Sequence, residues 1–212
     1  MDNYETIQVA IDSDGLVTLT LNRPKFKNAF NQQMILELQS VLSNFRKFPE
    51  FRCLLIKAEG DVFCAGGDLN WMKESRKKNR KARIAEAKSL AQMLLDLYNL
   101  RVPTFAEVTG SVYGGGVGLI AACDFVFSLD SVKFCLSETR LGLIPATIAP
   151  FLINKVGKGS SKGLFLSARP VGAEMAKQLG LTTKIFPDSK TLSNDLQIEL
   201  GFVLASAPGA LE

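Results

Sequence analysis

Two apolar segments that each run straight into a glycine-rich loop constrain this chain more than any other feature of its sequence. The first is Thr104–Val108, which continues through Thr109-Gly110-Ser111-Val112-Tyr113 into the triplet Gly114-Gly115-Gly116. An apolar stretch long enough for two helical turns then leads to Asp124. The pattern predicts a buried strand, a tight loop and the start of a buried helix. Glycines leave the backbone N–H groups of such a loop unshielded, and the helix adds the positive end of its dipole, so the loop suits a negatively charged oxygen.

A second loop of the same kind, residues 61–69, follows the apolar run 53–57 and contains Cys64-Ala65-Gly66-Gly67-Asp68-Leu69. Either loop alone reads as an ordinary turn. Two of them at strand ends suggest two N–H donors converging on one oxygen.

Composition narrows the chemistry. At 212 residues, 47% hydrophobic and 22% charged, the chain can bury a full core, and residues 1–212 are expected to form one domain. It has no run of about 18 apolar residues, and Met1-Asp2-Asn3-Tyr4-Glu5 lacks the basic and apolar parts of a leader, so a cytoplasmic location without membrane contact is expected. Cys53, Cys64, Cys123 and Cys135 lie in or beside apolar runs without a C-x-x-C pair, which predicts buried thiols and no metal site. The absence of histidine matters most. It excludes Ser-His-Asp and Cys-His catalysis and leaves carboxylates as proton carriers. The net charge of +4 fits an anionic small molecule without demanding one.

Along the chain, residues 4–11 and Leu16–Leu21 flank Asp12-Ser13-Asp14-Gly15, a hairpin signal. Asn31 is placed to cap a helix with Ile35, Leu38, Val41, Leu42 and Phe45 at helical spacing, ended by Pro49. Charges crowd residues 73–83 ahead of an amphipathic helix built on Ile84, Ala87, Leu90, Leu94 and Tyr98. Lacking interleaved aromatics, that stretch is read as solvated surface, with no nucleic acid as partner. Short strands are expected at 124–128, 132–134 and 183–186, helices at 146–156, 160–166, 173–179 and 192–205, and a loop at Glu138.

Three blocks then resemble the signatures of the enoyl-CoA hydratase/isomerase (crotonase) superfamily, in order and spacing: Phe63-Cys64-Ala65-Gly66-Gly67-Asp68-Leu69, residues 110–124, and Phe134-Cys135-Leu136-Ser137-Glu138-Thr139-Arg140-Leu141-Gly142-Leu143-Ile144-Pro145. The likeness extends to about Phe186. It implies an α/β fold, a spiral of repeated ββα units, and an acyl-CoA thioester as substrate, with no cofactor beyond the CoA of that substrate. By motif position the backbone N–H groups of Gly67 and Gly115 would hold the thioester oxygen, and Glu138 would move a proton at the acyl carbons. Ala65, Asp68 and Leu69 match positions that contact CoA, and Lys25 or Lys27 could meet its phosphates. Arg140 is expected either to lower the pKa of Glu138, to recognise a substrate carboxylate, or to form a structural ion pair.

The chain departs from the family pattern in two places. Hydratases of the family carry a second glutamate two residues after the glycine triplet, where this chain has Gly118. That puts simple hydration in doubt and resembles the single-glutamate isomerases. The blocks as a whole are most similar to bacterial methylglutaconyl-CoA and carboxygeranoyl-CoA hydratases, which favours a hydratase; the alternatives are an isomerase or a CoA-thioester-binding protein without turnover. Family members also continue into helices that cover the acyl pocket and build homotrimers or dimers of trimers. Here the carboxyl-terminal helical region is expected to be short or truncated, and Leu211-Glu212 matches a common cloning remnant. Gly116-Val117-Gly118-Leu119-Ile120-Ala121 also fits the dinucleotide pattern G-x-G-x-x-A, with Glu138 about twenty residues on. That scheme gives no role to the first glycine loop.

Overall fold

The computed structural model describes residues 4–45, 47, 48 and 50–207. Met1-Asp2-Asn3, Pro49 with its expected role as helix stop, and the terminus from residue 208 onward lie outside the described residues.

The hairpin forms as its turn residues predict: β1 (Ile7–Ile11) pairs antiparallel with β2 (Leu16–Leu21), and Gly15 supplies the left-handed φ of +85° beside the second strand. A 3-10 turn at Pro24–Phe26 leads to α1 (Gln32–Asn44). Its cap is Asn31, whose side chain accepts the Met34 N–H at 2.9 Å, and its buried face carries Ile35, Leu38, Val41 and Leu42.

From there a unit of two strands followed by helix repeats. β3 (Cys53–Ala58) and β4 (Val62–Cys64) precede α2 (Leu69–Lys77) and α3 (Arg80–Tyr98). β5 (Thr104–Val108) and β6 (Ser111–Tyr113) precede α4 (Gly115–Ala121). β7 (Phe125–Leu129) and β8 (Lys133–Cys135) precede a 3-10 turn at Glu138–Leu141 and α5 (Ala149–Val156). The chain continues through α6 (Lys158–Ser167), β9 (Val171–Gly172), α7 (Ala173–Gln178), β10 (Lys184–Phe186) and α8 (Ser189–Ala205). The first strand of each unit enters a six-stranded sheet, β1-β2-β3-β5-β7-β10, and the second enters a four-stranded sheet, β4-β6-β8-β9. This is the spiral of ββα units that the resemblance implies.

The larger sheet is covered on both faces at β3, which is why Cys53, Leu54, Leu55 and Ile56 are buried in succession. On β3, Cys53 and Leu55 face Leu192, Leu196 and Leu200 of α8, while Leu54 and Ile56 enter the main core with residues of α1, α3 and α4. The four cysteines are buried and unpaired, as expected, and burial pushes the thiols of Cys53, Cys64 and Cys123 up to about 12. No helix among the described residues is long and apolar enough to cross a membrane.

Three local readings change. β4 and β6 lie within segments read as loops; three residues are too few to show alternation, and only their mutual pairing makes them strands. α2 forms in the crowded charged stretch because Asp68 caps it, accepting the N–H groups of Asn70 at 2.9 Å and Trp71 at 3.3 Å. Glu138 begins a 3-10 turn rather than sitting in an open loop.

One buried carboxylate ties α1 to the start of the hairpin. Glu37 accepts the backbone N–H of Glu5 at 2.8 Å and of Thr6 at 2.9 Å, and also the Thr6 hydroxyl. Burial alone would raise its pKa, but the bonds from Thr6, Gln33 and the two backbone N–H groups outweigh it and hold the carboxyl below its ordinary range. A depressed folded-state pKa contributes stability above the unfolded value, and that stability is lost as pH falls through the folded one. Glu37→Ala, which strands the Thr6 donors, should lower stability by about 1–3 kcal/mol at neutral pH. Urea melts over a pH series should show the gap between the two proteins narrowing toward acid.

Candidate active site

The smaller sheet brings three chain segments to one edge. β4, β6 and β8 run parallel as neighbours, so their carboxyl ends lie side by side. β4 delivers Gly66 and Gly67, β6 delivers the glycine triplet, and β8 delivers Ser137 and Glu138. A parallel arrangement is what lets residues some seventy positions apart meet at one point.

The loops approach each other through bare backbone. Gly66 has φ +87° and Gly114 has φ +48°. A Cβ at Gly66 would lie 3.2 Å from the Tyr113 carbonyl oxygen and 3.6 Å from the Gly115 nitrogen. Side chains are disfavoured at both positions on dihedral grounds, and at Gly66 by contact as well. Phe30 anchors the first loop: its N–H donates to the Gly66 carbonyl at 2.7 Å and its carbonyl accepts the Asp68 N–H at 2.8 Å. The intervening Gly67 N–H is left without a partner among the described residues. Gly115 opens α4, where an N–H has no acceptor within the helix, and it too has none among the described residues.

Glu138 faces this pair. A Cβ at Gly114 would lie 3.2 Å from Glu138 Oε1, so the carboxyl rests against the second glycine loop. Its Oε2 is buried and has no hydrogen-bond partner among the described residues. Burial raises the pKa, offset only in part by a backbone hydrogen bond. Arg140 does not act on it. It is exposed, makes no ion pair among the described residues and lines neither cavity described below, so none of the three roles expected for it has a geometric basis.

Two cavities meet at this point, sharing Gly67, Met72, Gly115, Glu138 and Leu143. The first, about 590 Å³, gathers Lys25, Lys27, Ala65, Asp68 and Leu69, every residue expected to contact CoA, and adds Lys73. The carboxylate of Asp68 is engaged in capping α2 and in an ion pair with Arg23 at 3.1 Å, which leaves the lysines as the charged groups available there. The second, about 370 Å³, runs between α2 and α3 on one side and residues 143–148 on the other.

A family model described as enoyl-CoA hydratase/isomerase matches residues 12–207. The chain belongs to this family. It is 32% identical over 184 residues to 2,3-dehydroadipyl-CoA hydratase of Escherichia coli, covering 86% of this chain and 70% of that protein. It is also 32% identical over 203 residues to 1,2-epoxyphenylacetyl-CoA isomerase of the same organism, covering 92% and 74%. Among solved structures, an enoyl-CoA hydratase from Shewanella pealeana superposes with a TM-score of 0.93 at 31% identity, covering 98% of this chain and 77% of that one.

Within this family frame the two glycine patterns separate. Gly116 and Gly118 are packing positions: a Cβ at Gly116 would lie 2.6 Å from the Cys64 Cβ, and one at Gly118 would lie 2.4 Å from the Ile148 Cγ2. Both are buried inside α4, so the dinucleotide pattern is a coincidence of core packing. Ile148 fills the room that a side chain at 118 would need.

Two kinds of residue escaped the sequence reading. Asn28, fully buried at φ +52°, donates to the carbonyls of Glu59 at 2.8 Å and Val62 at 2.9 Å, and so pins the Lys25 and Lys27 turn beside the first glycine loop. A polar residue next to a 3-10 turn was the available signal. Arg76 and Arg83 belong to the stretch read as solvated, yet both line the second cavity. Their four-residue spacing to Met72 and Ala87 was legible, but charge hid it.

Gly118→Glu is thus expected to unsettle the fold rather than supply a second carboxylate. The variant should lose on the order of 1–3 kcal/mol or more from overpacking, and Ile148→Gly in the same chain should recover part of it. Thermal melts of the single and double variants measure both effects.

Proposed function

We propose that the chain hydrates an enoyl-CoA thioester of the methylglutaconyl-CoA type, with Glu138 as its one proton carrier. The observation that carries this reading is the buried Glu138 carboxyl set against the glycine loops where two unpartnered N–H groups, a lysine-bearing cavity and a second cavity come together. In this reading CoA lies in the first cavity with its phosphates toward Lys25 and Lys27, and the acyl group enters the second. No further cofactor is required.

The chemistry follows from the positions. The thioester oxygen accepts the Gly67 and Gly115 N–H groups, so negative charge that develops on it is stabilised; such donors are worth about a hundredfold or more in rate, on the order of 3 kcal/mol. The Glu138 carboxylate takes a proton from water as the water oxygen bonds to Cβ, and the electrons of the Cα–Cβ double bond move toward the thioester oxygen. As those electrons return, the same proton passes from Glu138 to Cα. Water has been added and the carboxylate restored.

The isomerase reading draws on Gly118 and Ile148. With no second carboxylate on α4, Glu138 can move one proton between two acyl carbons by the same oxyanion-assisted route. Incubation with a panel of enoyl-CoA thioesters in H₂¹⁸O, read by mass, separates the two: a gain of labelled water supports hydration, and a shifted double bond at unchanged mass supports isomerisation. Turnover of no thioester leaves only binding.

Glu138→Gln should lower kcat at least about a hundredfold while thioester binding persists. Because burial disfavours the carboxylate and the reaction starts from it, the wild-type rate should fall on the acid side with a midpoint above the ordinary glutamate range. Retained activity in the variant would overturn the assignment.

A further inference from the structure

The second cavity is basic at its helical wall. Met72, Ser75 and Arg76 follow helical spacing on α2, as Arg83, Glu86, Ala87 and Leu90 do on α3, and all of them line it. Neither Arg76 nor Arg83 has an ion pair or hydrogen bond among the described residues, although Lys77 and Lys78 beside them are paired with Glu74 and Glu86. The Glu86 carboxyl is already held by Lys78 and the Ser75 hydroxyl, and those bonds keep it ionised, below its ordinary range. Phe30, Met72, Leu90, Leu143 and Ile148 give the cavity an apolar lining, with Thr147 and Glu138 also on its wall.

We propose that Arg76 and Arg83 are the groups that receive the free carboxylate of a methylglutaconyl-type thioester, at the far end of the acyl group. This rests on reading the second cavity as the acyl site. A hydrocarbon tail reaching two unpaired guanidinium groups would strip part of their water and return nothing. A carboxylate matches their planar donor fork and forms charge-assisted bonds. The spacer is short. Arg76 lies seven residues beyond Leu69, a rise of about 10 Å along α2, and helical side chains lean back toward the amino terminus. The guanidinium therefore returns toward Gly67, leaving room for a few apolar carbons against Phe30, Met72 and Leu143.

The test uses two saturated thioesters of equal length, glutaryl-CoA and pentanoyl-CoA, with free CoA as the third ligand, titrated calorimetrically into the full chain. The wild type should bind glutaryl-CoA at least about tenfold tighter than pentanoyl-CoA, and the preference should shrink with added salt because both arginines are exposed. The double variant Arg76→Met, Arg83→Met should bind the two thioesters equally while holding pentanoyl-CoA and free CoA as the wild type does. Both positions are exposed and unpaired, so the fold should survive, and thermal melts check that. Equal binding of the two thioesters by the wild type would overturn the proposal. So would an equal loss for all three ligands in the variant, which would assign the arginines to the CoA phosphates or to the fold. Since the readout is binding, failure to hydrate any thioester would sink the hydratase reading alone, and a carboxylate preference that survives in the double variant would sink this assignment alone.

Discussion

The site depends on two glycine loops that approach closely where side chains would crowd them. A Cβ at Gly66 would lie 3.5 Å from the Gly114 Cα and 3.2 Å from the Tyr113 carbonyl oxygen, and one at Gly114 would lie 3.6 Å from the Gly66 Cα and 3.2 Å from the Glu138 carboxyl. Both glycines adopt positive φ, so conformation and contact select the same residue at each place. The parallel pairing of β4, β6 and β8 sets up this approach, and Phe30 holds it by bonding to both sides of Gly67. Two N–H groups are thereby kept out of the hydrogen-bond ladder without being buried against apolar side chains.

The same packing that exposes donors isolates the acid. Glu138 follows β8 directly, and its outer oxygen is buried without a partner, an arrangement that disfavours the charged form. The Oε2 of Glu138 has no partner among the described residues, whereas Glu37 is bonded by the Thr6 hydroxyl and two N–H groups, Asp68 by a helix start and Arg23, and Glu107, whose pKa burial also raises, is offset in part by the charge of Lys57. That contrast between Glu138 and its neighbours is the electrostatic mark of the site. A few residues away the balance reverses, with cationic groups on α2 and α3 left unpaired beside an apolar wall.

Much of the fold was legible because its signals are local. The Asp12 to Gly15 turn, the Asn31 cap, the 3,4-spaced face of α1 and the largely apolar runs of β3 and β5 each depend on residues a few positions apart, and each forms where the pattern placed it. β4, β6 and β9 did not show themselves, since strands of two or three residues owe their existence to a partner far off in sequence. The dinucleotide-like pattern misled for a related reason. Spacing alone does not tell a glycine that admits a phosphate from one that admits Cys64 or Ile148.

By itself the sequence determined the chemical repertoire: no histidine, glycine at two strand ends, glutamate after a third, and glycine at 118 where a second carboxylate would have stood. These are matters of residue type, which no folding can alter. Tertiary structure alone decided which of these groups meet and what surrounds them. It set Glu138 against the Gly114 loop, removed Arg140 from it, filled the space at Gly118 with Ile148, and turned Arg76 and Arg83 from apparent surface charge into the wall of a cavity. The reason is that partner, burial and dielectric belong to the space between elements, and that space exists only once strands distant in the chain have paired.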